Sequence, residues 1–177
     1  MPADEADVQA LLEGQATPAA LLPEAAIALA WQLKQQCYAA WSTAPPRAAQ
    51  AAAALQRLAE AQPTLSEIAA LAAWTAAVVC LNQGRSADAV TRLDESADLW
   101  RQLGRPLEAA QTQVPKLAAL LMLGEHTLAA DCGTAARTDL LALGDVAAAS
   151  KVSLNLGSLQ MRRDDYPAAA AHYRQAA

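Results

Sequence analysis

Apolar residues run almost without interruption from Ile68 to Leu81, broken only by Thr75, and stop at the polar segment Asn82-Gln83-Gly84. Beyond that break they return at Ala89, Leu93, Ala97 and Trp100, three and four residues apart. This spacing puts them on one stripe of a helix. The pattern predicts a helix from Ser66 to Leu81, a turn, and a second helix from Ser86 to Leu103. Ser66, followed directly by Glu67, is a start signal. Leu103-Gly104 is a stop signal, because glycine suits the left-handed position that ends a helix. Pro106 then opens the next helix, at a site where a missing N–H costs little. The same plan follows twice more. One helix runs to Leu123 with a break at Gly124, and another from about His126 to Leu143 with a break at Gly144. A helix from near Val146 breaks at Arg163-Asp164-Asp165, and the chain resumes at Tyr166-Pro167.

These breaks share a period of 40 residues: Gly84 and Gly124 lead to Asp164, and Leu103-Gly104 leads to Leu143-Gly144. Ala89, Ala129 and Ala169 keep the same interval, as do Ala69, Ala109 and Ala149. A fixed period of this size marks stacked repeats. An earlier copy fits the phase, with helices Pro23 to Trp41 and Arg47 to Ala61 joined through Ala44-Pro45-Pro46. Ala3 to Gly14 reads as a short polar helix that covers the open end of the stack. The expected organisation is a cap and linker over 1–22, then units at 23–63, 64–104, 105–144 and 145–177, the last one short. The expected fold is an all-α superhelix, a solenoid of about four helical hairpins.

Composition supports helices. Apolar residues make up 54% of the chain, mostly Ala and then Leu, and there is no Phe. Val, Ile and Thr are sparse, which argues against a sandwich or barrel. Charged residues are 18% and the net charge is -5, which excludes a disordered acidic tail and argues against nucleic acid as a partner. The N-terminus, Met1-Pro2-Ala3-Asp4-Glu5, is acidic rather than basic and does not read as a secretory signal. The apolar run at Ile68 to Leu81 is shorter than the roughly 20 residues needed to span a bilayer, so no membrane role is expected. Cys37, Cys80 and Cys132 are odd in number and widely spaced. They read as reduced thiols in a cytoplasmic protein.

Asn155-Leu156-Gly157, Asp164-Asp165-Tyr166, Ala169, Tyr173 and Ala176 resemble the tetratricopeptide (TPR) signature. Gly84, Ala89 and Leu93 fit it, as do Gly124, Ala129 and Ala136. Two positions depart: Gly133 stands where an aromatic is usual, and Leu117 where a small residue is usual. The resemblance covers roughly 23–177. The TPR unit is about 34 residues long; the longer period here is similar to that of bacterial regulators of the MalT type. The segment around Gln111 to Lys116 resembles arrays that precede CHAT peptidase domains in bacteria.

The resemblance implies that first helices line a concave face that holds a protein or peptide. On that face it places Trp31, Tyr38, Trp41, Trp74, Val78, Leu81 and Asn82, then Gln111, Val114, Leu121 and Met122, then Lys151, Leu154, Ser158, Met161 and Arg162. Trp, Tyr and Met are good interface anchors. The alternative for several of them is inter-helix core. Asn82 is the best polar candidate for holding a peptide backbone, against a plain helix-end role. Lys151, Arg162 and Arg163 would attract an acidic segment, or form a solvated surface. Pro115, inside a predicted helix, implies a kink that frees the Gln111 carbonyl.

No catalytic set emerges. His126 and Cys132 are six apart, two histidines give no zinc set, and there is no phosphate loop. No cofactor or metal is expected. The last unit is shorter than its phase, which leaves an apolar end for a following domain or for self-association. The expected role is a protein–protein interaction scaffold, the regulatory N-terminal part of a larger bacterial protein. The alternative is a small-molecule-sensing domain of MalT-like type.

Overall fold

The computed structural model of the chain describes residues 5–13 and 20–176. Among them the structure is all-α, as expected, with nine helices. These are α1 (Glu5–Leu12), α2 (Pro23–Ala40), α3 (Pro45–Ala61), α4 (Ser66–Asn82), α5 (Ser86–Gln102), α6 (Pro106–Leu123), α7 (His126–Ala142), α8 (Val146–Arg162) and α9 (Tyr166–Ala176). They divide into two compact units, Met1–Leu103 and Gly104–Ala177. No helix among the described residues is long and apolar enough to cross a membrane.

In the first unit, α2 pairs with α3 and α4 with α5, while α4 also lies against α2 and α3. That position makes α4 the core. Ile68, Leu71, Trp74, Ala77 and Val78 are all buried, which explains a sequence that is apolar on every side. Ser96 ties the pair together, its hydroxyl donating to the buried Ala70 carbonyl at 2.8 Å. Helix α1 packs on α2 and α3, burying Val8 and Leu11. The Arg57 guanidinium donates to the Leu11 carbonyl in the last turn of α1 at 2.7 Å. Residues 3, 4 and 14 of the expected first helix lie outside the described residues, as do linker residues 15–19.

In the second unit, α6 pairs with α7 and α8 with α9, and α8 also packs on α7 and α6. Its core includes Leu117, Leu120, Leu140, Val152, Leu156 and Leu159. Helix α6 continues through Pro115 to Leu123, so the proline removes one backbone hydrogen bond without ending the helix.

One detail differs from the sequence expectation. Pro45 and Pro46 lie inside α3, at its first positions, where a fixed φ and a missing N–H are compatible with a helix start. Helix α4 starts at Ser66 as expected, and no side chain caps that end.

The turns keep a finer beat than the repeat. Backbone φ is positive at Gly84, Gly104, Gly124, Gly144 and Asp164, every 20 residues along the chain. Two hydrogen bonds close several of these turns. The Asp145 N–H reaches the Leu140 carbonyl at 2.8 Å, and the Gly144 N–H reaches Leu141 at 3.2 Å. The Asp165 N–H bonds Gln160 at 3.0 Å, and the Asp164 N–H bonds Met161 at 3.2 Å. This double closure satisfies the last carbonyls of each helix and needs a left-handed residue to form. Asp164, with φ 57°, holds that conformation with a side chain attached.

Helix pairs approach closely where glycine meets a large side chain. A Cβ on Gly157 would fall 2.5 Å from the Tyr173 ring. A Cβ on Gly133 would fall 2.7 Å from Leu156 and 3.1 Å from Leu117. Leu117 and Gly157 are 40 residues apart, as are Gly133 and Tyr173. The two hairpins thus use the same two positions with large and small exchanged. This accounts physically for the two departures from the repeat pattern.

Two outcomes follow for unfolding by urea or heat. Gly157→Ala lowers stability by about 1–3 kcal/mol, the usual cost of overpacking. Tyr173→Ala in the same chain removes most of that added cost, and a double-mutant cycle reads the coupling. Asp164→Gly raises stability by about 0.5–1 kcal/mol, because glycine takes positive φ without the Cβ penalty.

Candidate functional site

Trp31, Lys34, Tyr38 and Trp41 follow one another at three- and four-residue steps, a spacing that puts them on one face of a helix. All but Trp41, which caps the end, lie in α2. Trp74 comes to this face from α4. Its ring lies 3.8 Å from the Lys34 ammonium, which also sits 5.0 Å from the Trp31 ring and 5.4 Å from the Tyr38 ring. Tyr38 meets Trp74 edge to face, with centroids 6.3 Å apart and planes at 88°. Trp31 is fixed from two sides. Its indole N–H donates to Glu67 Oε1 at 2.8 Å, and its ring packs on Trp100 at 5.9 Å. Three rings therefore surround one cation.

The other expected residues of this unit divide. Trp74 and Val78 are buried, so they build the wall and the core rather than a free surface. Leu81 is half-buried, and Trp41 is exposed. Asn82 does hold a peptide backbone, but it is its own chain's: the amide donates to the Trp41 carbonyl at 2.7 Å, securing the turn after α2.

The second unit presents a different surface. Leu154 is 49% exposed, Met161 45% and Met122 63%. Lys151, Ser158 and Arg162 are exposed as well. Lys151, Leu154, Ser158 and Met161 make one stripe of α8, because its buried stripe is Ala149, Val152, Leu156 and Leu159. Gln111, Val114 and Leu121 on α6 are half-buried. The Gln111 amide donates to Asp145 Oδ2 at 2.6 Å. Asp145 caps α8 by accepting the Ala148 N–H at 2.9 Å. The Ala148 N–H, then the Gln111 amide and more weakly the Lys151 charge, hold this carboxyl below its ordinary value, against a smaller opposing effect of burial.

Two features were not anticipated from the sequence. Lys34 is one; its signal was the register, since the positions 40, 80 and 120 residues on are Trp74, Val114 and Leu154, all apolar. The other is a depression of about 430 Å³ bordered by α3, α4 and α5, floored by Ala69, Ala72 and Ala73 and rimmed by Arg92, Glu95 and Asp98. Ion pairs Arg92–Glu95 at 3.0 Å and Arg101–Asp98 at 2.6 Å neutralise the rim. The hollow arises from small residues and has no motif.

The thiols are separate. Cys37 and Cys80 are buried and Cys132 is half-buried. Burial pushes the Cys37 thiol up to about 11, which keeps it protonated and unreactive at neutral pH. Cys80 Sγ accepts a hydrogen bond from Arg85 at 2.8 Å. The Cys132 thiol faces Gln113, with its side-chain oxygen at 3.7 Å. Among the described residues no three His, Cys, Asp or Glu side chains gather as a metal set.

No protein-family model, curated protein or solved structure matches the chain.

The Asp145 geometry sets a pH dependence. A carboxyl with a lowered folded pKa stabilises the fold above its unfolded pKa of about 3.9, and that contribution disappears as pH falls through the folded value. Asp145→Ala therefore costs about 1 kcal/mol at pH 7, the usual effect of losing a cap. The difference from the parent protein shrinks in urea melts taken progressively below about pH 4.

Proposed function

We propose that the chain is a docking module of the TPR-like kind, which binds a peptide or a partner domain through the exposed face of its first helices. The observation that carries this reading is the α8 stripe. Leu154 and Met161 are large apolar side chains left in water at helical spacing, with Lys151 and Arg162 at its ends. Two exposed apolar residues on one stripe, beside Met122 of the same unit, offer the anchors that a partner helix or extended segment needs. The basic ends favour a segment with acidic flanks.

The reading is of binding without catalysis, in a cytoplasmic protein whose partner is neither nucleic acid nor membrane. The likeness to arrays ahead of CHAT peptidase domains supports a regulatory role at the N-terminal side of a larger bacterial protein. A second reading, a metabolite sensor of MalT-like type, is favoured by the depression bordered by α3, α4 and α5. Its volume of about 430 Å³ falls in the range of small-molecule sites, about 300–1,000 Å³.

Selection from a displayed peptide library tests the docking reading. It should yield a sequence family with apolar anchors and acidic flanks. Leu154→Glu together with Met161→Glu should weaken those peptides at least about tenfold, with helicity and melting temperature unchanged. A library that yields no sequence family, or peptides indifferent to this double change, would remove the reading.

A further inference from the structure

The first unit holds a hollow, and the second carries a ridge of about the same length. The hollow, about 430 Å³, runs along α5 from Arg92 to Gln102, about 15 Å at the helical rise. Ala69, Ala72 and Ala73 floor it, and Ala59 and Leu99 also line it. An engineered cavity of about 150 Å³ already takes benzene, so this hollow has room for more than one large side chain. The ridge on α8 runs from Lys151 to Arg162, about 16 Å by the same rise. Leu154 and Met161 project from it into water, about 10 Å apart along the axis. An apolar hollow and an apolar ridge of matching length cover each other when they meet.

The charges also agree. Lys151 and Arg162 bracket the ridge, and no carboxylate lies between them. Glu95 and Asp98 line the hollow against one cation, Arg92, and Gln56 on the opposite rim donates to Glu60. The pairs Arg92–Glu95 and Arg101–Asp98 join exposed side chains within α5; such pairs are weak and exchange readily with an incoming cation. Residues 1–103 hold eleven acidic and six basic side chains, and residues 104–177 hold seven of each, so the hollow lies on the acidic unit.

We propose that the partner of the α8 stripe is a second copy of this chain: Leu154 and Met161 of one copy seat in the hollow of another, with Lys151 and Arg162 against Glu95 and Asp98. The contact joins unlike surfaces, so every chain offers one of each. The inference deepens the docking reading by naming the partner, and it rests on the stripe of that reading.

The test is sedimentation equilibrium of the whole chain up to about 1 mM, a range in which small transient contacts still register. The parent mass should rise with concentration from 18.4 kDa to that of two chains or more. Ala69→Leu fills the hollow from its floor, and Leu154→Glu with Met161→Glu removes the ridge. Each variant alone should weaken association at least about tenfold. Mixed in equal amounts, the two should pair one to one and go no further, because the mixture keeps one intact ridge and one intact hollow. Glu95→Lys with Asp98→Lys changes only exposed side chains. It should weaken association at least about threefold, and it takes the place of Ala69→Leu if that change lowers helicity.

A parent chain that keeps the mass of one chain throughout would overturn the proposal. So would association that both hollow variants leave intact, which means stripe against stripe, or a mixture of the two variants that does not pair. Library peptides held on the α8 stripe of a chain that stays single would overturn the second copy as occupant and leave the docking reading standing. A metabolite held in the hollow of a chain that stays single would overturn the proposal as well.

Discussion

The structure depends on how closely two helices of a hairpin can approach. Gly157 has no room for a methyl group beneath the Tyr173 ring, and Gly133 has none beneath Leu156 and Leu117. At each crossing one partner must be as small as possible so that the other can be large. Interiors are close-packed solids, and a void or a clash at such a point is felt throughout the pair. The abundant alanines extend the same rule along each interface: Ala89, Ala97, Ala129 and Ala136 are all buried. A chain without Phe can still be well packed, because its helices approach closely and need less side-chain bulk between them.

That close approach requires helices of matched length and turns of fixed shape. The left-handed residues recur every 20 positions, and the intervening helices α5, α6, α7 and α8 have 17, 18, 17 and 17 residues. A turn that closes with two hydrogen bonds leaves no slack, so the register of one helix determines the register of its partner. The exchange of large and small at 117/157 and 133/173 is tolerated because it preserves summed volume at the crossing.

The same geometry distributes the surface. Where α4 is enclosed by neighbours, its register positions carry Trp74 and Val78 and become core. Helix α8 packs on α6, α7 and α9 in the same order, yet its corresponding stripe stays in water with Leu154 and Met161. Lys34 combines both situations, since its stem belongs to an exposed helix face and its ammonium is held by a buried ring.

Much of the architecture was legible from spacing alone. Apolar steps of three and four residues, with Gly84, Gly124 and Gly144 between them, located the helices of the repeat to within a residue or two. Local rules suffice there: a left-handed turn demands glycine, and a buried stripe demands the helical period. The sequence also marked Trp31, Tyr38 and Trp74 as unusual aromatics in an aliphatic chain. What they do was decided by tertiary structure. Only the packing of α4 on α2 brings Trp74 over a lysine three residues from Trp31 and turns Asn82 to its own backbone at Trp41, and only the packing of α3, α4 and α5 opens a hollow over Ala69, Ala72 and Ala73. Each of these joins residues 40 or 41 positions apart or an arrangement of small side chains. Local sequence specifies which face a residue lies on; the side chain that meets it there is set by the neighbouring helix.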